Sequence, residues 1–448
     1  MLGIVFYSAL IFAFYGGVVT LSPSFCTSNR SIREAKFLSA LIIVSVIHLL
    51  VLLHLPLMIL CWFGMVLGHG CLLRQFRRGN IKFSKSILKP SRIVVGFLVL
   101  MFLVKSVCEG ISGWDARSIY FFHAKVIYFA QNFPVEPWKL QEYNFSHLDY
   151  PKLTASLAAL ISTGIGYWNE YWPKLATGSL LILLHVGIYV LPLKFMERFV
   201  IQMIMFSIPG YFLWVGEQDG FLAGFAFLST LYMGWGLRYQ NKLWIQIGLA
   251  CVFVGMQIKN EGLALGTVVF FVSTVFRPEM VIRALASIPV VLVASPVFLW
   301  TFYRNYFGIN NDLASAFSKQ RILDRVVSWD LFWHDFVRYF FFKTEIFRTL
   351  LLAVVILGLM RVLRKLKWDI APWVAILSFL GYSLTILCVY LSTPWEVVEH
   401  LKTSVDRVAF TPALVLLGAV ILASPIQPKP EYLPPLSGPD GGRGCGNL

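Results

Sequence analysis

The chain has 448 residues, of which 58% are hydrophobic and only 14% are charged. So little polar surface cannot coat one soluble core, which excludes an ordinary soluble globular protein and makes the bilayer part of the solvent. The net charge of +15 would suit nucleic acid, but the cations gather in short loops between apolar runs, so a nucleic-acid partner is excluded as well. Because each spanning helix needs about 20 apolar residues, the length predicts an all-α polytopic membrane protein with about 11–14 transmembrane helices surrounded by membrane lipids.

Residues 1–92 are predicted to hold N-terminal transmembrane helices and a basic cytoplasmic loop. The apolar stretch 2–21 lacks a basic leader and is interpreted as a retained helix. The stretch 37–67 has basic residues at both ends, so it is either a tight helical hairpin that turns near His54 and Pro56 or one long kinked span. The positive-inside bias places the following loop in the cytoplasm, since it holds seven cations and no acid: Arg74, Arg77, Arg78, Lys82, Lys85, Lys89 and Arg92.

Residues 93–424 are predicted to form one transmembrane module with two long outside loops, 109–150 and 304–345. The apolar segment 152–165 is only about 22 Å long as a helix, short for a core of about 30 Å, and is interpreted as not crossing. The Pro- and Gly-rich tail 425–448 is predicted to be disordered. Loop charges agree with one another if spans lie near residues 93–109, 172–193, 199–215, 219–237, 243–259, 261–276, 284–303, 346–362, 370–391 and 408–424.

Asp115 opens a predicted juxtamembrane helix in the first long loop. As the first residue of a helix, it is either a simple N-terminal cap or a general base that accepts a proton at the membrane surface. The helix is predicted to lie on the membrane through an apolar stripe with spacings of three and four: Ile119, Phe122, Val126, Phe129 and Phe133.

Further polar turns are predicted to face the same side as Asp115. His147, Asp149 and Tyr150 precede a short apolar segment, either as part of a sugar or acceptor site or as an interfacial tyrosine belt with Pro151 opening a helix. Isolated charges at span ends are commonly interfacial, but several acidic turns at one leaflet indicate a cavity. The turns in question are Glu217 with Asp219, and Lys259 with Glu261.

A last polar cluster precedes the final span. Basic residues outside oppose the positive-inside bias, and a phosphate ligand would explain them through charge-assisted hydrogen bonds. The alternative is a helix cap made by Asp406 and Arg407, with Lys402 extending to the interface. The candidate phosphate ligands are His400, Lys402, Arg407 and, from the earlier turn, Lys259.

The order of these motifs resembles the GT-C superfamily of membrane glycosyltransferases, which includes protein O-mannosyltransferases, aminoarabinose transferases and oligosaccharyltransferase catalytic subunits. The matching pieces are Trp114-Asp115 and residues 147–151, 216–219, 259–262 and 400–407, across about residues 93–424. The chain departs from the pattern by lacking a paired acid beside Asp115 and a large soluble domain after the last span.

The resemblance implies a GT-C fold and an inverting transfer in which Asp115 is the base. A sugar would pass from a polyprenyl-phosphate donor to the hydroxyl of a glycan, lipid or protein acceptor, on the outer face of a bacterial or archaeal plasma membrane. It leaves open whether a divalent metal, Mg or Mn, takes part. The alternative function is a transporter or flippase for a lipid-linked saccharide, which would place ionisable residues at mid-membrane depth.

Overall fold

The computed structural model describes residues 29–64, 66, 90–207, 215–309, 318–344 and 369–423, with a few positions between 348 and 359. Within these ranges the secondary structure is helical and contains no strand, so the prediction of an all-α protein is confirmed. The predicted first span, most of the basic loop, most of the predicted span 346–362 and the tail lie outside the described residues.

Sixteen α-helices have defined bounds within the described residues, and we number them in order along the sequence. They are α1 (Asn29–Leu52), α2 (Pro90–Cys108), α3 (Phe121–Ala130), α4 (Leu153–Ile165), α5 (Leu175–Val190), α6 (Phe195–Ser207), α7 (Asp219–Arg238), α8 (Lys242–Ile258), α9 (Asn260–Phe276), α10 (Pro278–Leu285), α11 (Ile288–Phe307), α12 (Lys319–Val327), α13 (Trp329–Val337), α14 (Ile370–Ser392), α15 (Val397–Val408) and α16 (Phe410–Leu422). Residues 57–64 are also helical.

Four described helical segments are long and apolar enough to cross a membrane: 33–52, 172–190, 219–238 and 370–392. Two bent pairs, α10 with α11 and α15 with α16, raise the number to six if each pair is one span. Helices α8 and α9 are apolar but have only 17 residues each. These helices support a membrane protein, while the total of 11–14 spans stays a prediction.

Helix α7 is the centre of the bundle, and its residues 219–237 are all buried. It packs against α8, α14 and α16. Glycines permit this close approach, because a Cβ on Gly234 would lie 2.7 Å from Leu422 and a Cβ on Gly236 would lie 2.7 Å from Ile245. Small residues at helix contacts therefore set the core spacing.

An ion pair fastens the end of this core opposite to the Asp219 end. Arg238, in the last turn of α7, donates to the Asp369 carboxylate at 2.9 and 2.6 Å and to the Leu422 carbonyl at 2.7 Å. Asp369 also accepts from Ala371 N and so caps α14. One guanidinium thus joins the ends of α7, α14 and α16.

The two ends of the long segment after α2, residues 109–111 and 170–174, lie next to each other. Ile111 N donates to Glu170 O at 3.0 Å, and Lys174 Nζ donates to Glu109 O at 2.9 Å. Between these points lies α4, which has 13 residues and ends at Gly166 with a φ of 94°. This is the geometry expected of a segment that enters the protein without a net crossing.

The predicted apolar stripe of the first loop does not lie on one face of the structure: Ile119 and Phe133 are buried, Phe122 and Val126 are half-buried, and Phe129 is exposed. The helix starts with a π-helical turn, Ala116–Tyr120, before α3. A π turn adds a residue per turn and rotates the following face, so the buried positions continue at His123, Ala124 and Ile127. This buried face packs on α4.

The apolar stretch 37–67 breaks where the sequence predicts a turn. Helix α1 ends at Leu52, His54 adopts a φ of 61°, and helix resumes at residue 57, after Pro56. The His54 ring holds the break, because its Nδ1 lies 2.6 Å from Phe133 O and its Nε2 lies 3.2 Å from the Tyr303 hydroxyl.

Candidate active site

The centre of the candidate site is an arginine held between two carboxylates from distant parts of the chain. Arg407, in the last turn of α15, contacts Asp115 through Nη1 at 2.5 Å and Glu217 at 3.6 Å. Asp115 has helical backbone angles and makes no side-chain capping bond, so the cap interpretation does not describe it. The N-terminus of the first-loop helix thus directs its carboxylate toward Arg407.

A second buried cation lies beside this group. Lys259, at the turn between α8 and α9, contacts Asp219 at 2.7 Å and Glu261 at 2.9 Å. Lys259 and Asp219 are both only 5% exposed, so each requires the other: an unpaired buried charge would be costly. The predicted polar turns therefore meet at one end of the bundle.

The turn that carries Glu217 depends on a glycine. Gly216 has a φ of 97°, and a Cβ there would lie 2.6 Å from the Phe121 ring. The fully buried Gln218 donates to Gly216 O at 2.8 Å and accepts from the Thr154 hydroxyl at 2.8 Å. The turn is thereby fixed against α3 and α4.

Asp149 is held by a separate set of contacts. Its carboxylate accepts from the Asn260 amide, and its carbonyl accepts from Trp300 Nε1 at 3.2 Å. The neighbouring Lys152 is fully buried, donates to Leu148 O at 2.9 Å and lies 4.8 and 4.7 Å from the centres of the Trp138 and Trp300 rings. The buried Lys152 side chain, packed between two indoles and bonded to the Leu148 carbonyl, thus stabilises the turn that presents Asp149.

These groups surround a cavity of about 750 Å³, within the usual size of ligand pockets. Its described lining contains five carboxylates, two cations and two histidines. The carboxylates are Asp115, Asp149, Glu261, Glu396 and Glu399, the cations are Lys259 and Arg407, and the histidines are His147 and His400.

Comparison with protein-family models, with curated proteins and with solved structures found no match to this chain.

The cavity includes an aromatic wall that the sequence analysis missed. Tyr382, Thr385 and Tyr390 project from α14, and Trp395 and Ser404 complete that side. Tyr390 OH lies 2.8 Å from the Ser404 hydroxyl, so α14 and α15 share a hydrogen bond at the cavity. The signal was a set of polar side chains at helical spacing, Tyr382, Thr385 and Tyr390, inside an otherwise apolar span.

Eight of the eleven predicted site residues line the cavity: Asp115, His147, Asp149, Tyr150, Lys259, Glu261, His400 and Arg407. Glu217 and Asp219 lie behind the lining and bind its two cations. Lys402 is exposed and contacts Glu399 at 2.5 Å, and it is not part of the lining that the structure describes. Tyr150 is half-buried and lines the cavity.

The protonation of the supporting groups follows from burial and pairing. Burial raises the pKa of Glu217 to about 7, although the neighbouring Arg407 opposes the change. Burial also disfavours the charged form of Lys259, but the attraction of Asp219 and Glu261 outweighs it and holds the Lys259 pKa well above the ordinary lysine value. Lys259 is therefore a permanent cation, whereas Glu217 titrates near neutral pH.

The described residues do not fit a divalent metal. They contain no group of three His, Cys, Asp or Glu side chains placed to hold an ion. Asp115, Asp219 and Glu261 are each committed to Arg407 or Lys259. Arg407 and Lys259 therefore neutralise these three carboxylates without a metal ion.

Proposed function

We propose that this protein is a membrane glycosyltransferase that moves a sugar from a polyprenyl-phosphate donor to an acceptor hydroxyl. The observation that carries the proposal is the cavity itself, in which carboxylates and aromatic side chains surround a carboxylate–arginine pair. Carboxylates accept hydrogen bonds from sugar hydroxyls, and the apolar faces of Tyr and Trp pack against sugar rings. The motif order resembling the GT-C superfamily agrees with this chemistry.

The proposed reaction is a single inverting displacement. The acceptor oxygen attacks the anomeric carbon and forms the new C–O bond, while the bond to the phosphate oxygen breaks and the phosphate keeps the electron pair. The acceptor proton passes to the Asp115 carboxylate, which acts as general base. Asp149, Tyr150 and Glu261 line the same cavity and would bind the sugar or the acceptor.

Arg407 is the residue suited to the departing phosphate. Arg407 lines the cavity, and its ion pairs with Asp115 and Glu217 are both made by Nη1, so Nη2 and Nε would be the donors for a phosphate. A planar guanidinium that binds the Asp115 carboxylate and the phosphate at the same time would fix the position of the base relative to the leaving group. Lys259 and His400 line the same cavity and would add polar contacts.

The arrangement favours transfer over transport of a lipid-linked saccharide. The described ionisable groups of the cavity gather where α7, α9, α15 and the first-loop helix meet, at one end of the bundle. A transport path would instead line the depth of the membrane with such groups. We propose that this end faces the outside of a bacterial or archaeal plasma membrane.

The proposal is tested by turnover of defined donors. Purified protein in detergent is incubated with radiolabelled polyprenyl-phosphate sugars and a panel of glycan, lipid and peptide acceptors, with Asp115→Asn as the matched control. We expect release of free polyprenyl phosphate and acceptor labelling from one donor with the wild type alone. Movement of labelled donor across proteoliposomes without release of its sugar would identify a flippase instead.

A further inference from the structure

The amphipathic helix α12 contacts the end of α14 beside the cavity, mainly through Arg325. Arg325 donates from Nη1 to the carbonyls of Tyr390, Leu391 and Thr393, and from Nη2 to the carbonyl of Trp395, each at 2.9 Å. The carbonyls of Tyr390, Leu391 and Thr393 share the two N–H groups of Nη1, and the Trp395 carbonyl accepts from Nη2. The last carbonyls of a helix have no partner inside that helix, so Arg325 satisfies the end of α14 and complements its dipole.

These four carbonyls belong to the corner between α14 and α15, residues 390–396, which forms part of the cavity wall. Tyr390 and Trp395 line the cavity. Glu396, the next residue, caps α15 by accepting from Val398 N at 3.0 Å and Glu399 N at 2.7 Å. Helix α15 then carries Arg407, so the orientation of the corner sets where α15 starts.

We infer that Arg325 is a positioning residue: it fixes the corner of residues 390–396 and thereby holds α15, with Arg407, against the cavity. Arg325 itself is not among the residues that line the cavity. The inference concerns the geometry of the site and does not rest on the proposed reaction. The hydrogen bonds of the Arg325 guanidinium to the corner all go to backbone carbonyls, so its role there is to hold the backbone.

The helix offers a matched control one turn earlier. Arg321 is also an arginine of α12 and donates to a carbonyl of the same region, that of Ser392, at 3.2 Å. Among the backbone carbonyls of residues 390–396, Arg325 binds four and Arg321 binds one. Arg321→Gln therefore removes a cation of the same helix while keeping the four hydrogen bonds of Arg325.

Amide hydrogen exchange of the full-length protein in detergent tests whether the Arg325 hydrogen bonds hold residues 390–396 in place. Loss of several charge-assisted bonds in Arg325→Gln should speed amide exchange of residues 393–400 by about 10- to 100-fold. Arg325→Lys should show an intermediate increase because one ammonium cannot reach all four carbonyls. Arg321→Gln should change the same amides by less than about threefold, and the buried amides of α7 should stay protected in every variant.

A label on α15 provides the positional readout. Thr403→Cys, at a cavity-lining position, carries a trifluoromethyl tag in a background without other cysteines. Arg325→Gln should shift or split its ¹⁹F resonance, whereas Arg321→Gln should leave it unchanged. The inference is overturned if Arg325→Gln leaves both readouts as in the parent, or if Arg321→Gln reproduces its effects; should Arg325→Gln not fold, parental behaviour of Arg325→Lys overturns it.

Discussion

At the scale of single residues, Asp115 is the proposed base, and an isosteric change separates its basicity from its structural contact. Asp115→Asn keeps an oxygen that can accept from Arg407 Nη1, so the pair with α15 should persist. We expect the transfer rate to fall about 10²- to 10⁴-fold with donor binding nearly intact. Asp406→Asn, an exposed position beside Arg407, is the matched control. More than a tenth of the wild-type rate in Asp115→Asn would refute its role as base.

Arg407 should be required more in the transition state than in donor binding. Arg407→Ala removes the cation shared by Asp115 and Glu217, and a lost charge-assisted contact to phosphate costs about 1.5–3 kcal/mol. We expect kcat to fall about 10- to 150-fold, with a smaller change in donor Kd, because the leaving phosphate gains charge. Arg407→Lys should rescue only partly.

Lys402→Ala provides the comparison for Arg407→Ala on the same helix. The sequence suggests a phosphate ligand at Lys402, whereas its exposed pair with Glu399 predicts wild-type kinetics. Single-turnover rates and donor titrations of Lys402→Ala and Arg407→Ala decide whether Lys402 binds the phosphate or only pairs with Glu399. Wild-type turnover of Arg407→Ala would place the phosphate elsewhere in the cavity.

Glu217 should make stability depend on pH in a defined window. Its pKa is raised to about 7 by burial, so between the ordinary carboxyl value and about 7 the folded state holds a proton that the unfolded state releases. The free energy of unfolding should therefore fall as pH rises through this window. Glu217→Gln removes that proton, and its unfolding temperature should vary less from pH 4 to 8. An unchanged pH profile would show that Glu217 does not titrate there.

At the scale of structural elements, the turn before α7 is the connection between the first-loop helix and the bundle. Gly216→Ala places a Cβ at a φ of 97° and 2.6 Å from Phe121. The cost of strain and displacement should be about 1–3 kcal/mol, seen as a lower unfolding temperature. Gly166→Ala is the control, since Gly166 has a similar φ of 94° but open space around it. Equal losses in the two variants would mean that backbone strain alone, without the Phe121 contact, explains the effect.

At the scale of the whole molecule, the two polar ends of the bundle should lie on opposite sides of the membrane. The cavity occupies one end, and the Arg238–Asp369 pair ties the other. A membrane-impermeant thiol reagent should label Trp114→Cys and Glu399→Cys from one side and Lys242→Cys from the other in oriented vesicles. These positions are exposed, so accessibility depends on sidedness. Labelling of positions 114 and 242 from the same side would contradict the topology.

The sequence by itself determined the class of protein and the places where polar groups interrupt the apolar helices. Apolar length and loop charge are local properties, so they located α7, α8, α9 and α14 within a few residues and identified the turns at Asp115, Asp149, Glu217 and Lys259. Loop charge and the number of spans between these turns also predicted that they lie on one side of the protein.

Only the tertiary structure decided which of these groups meet. Asp115 pairs with Arg407 across 292 positions of sequence, and no local periodicity encodes a contact of that separation. Packing also rotated the first-loop helix through its π turn, turned Lys402 away from the cavity and brought Tyr382 and Tyr390 into it. The physical reason is that helix formation depends on neighbours within a few residues, whereas the face that each helix buries depends on where the other helices pack.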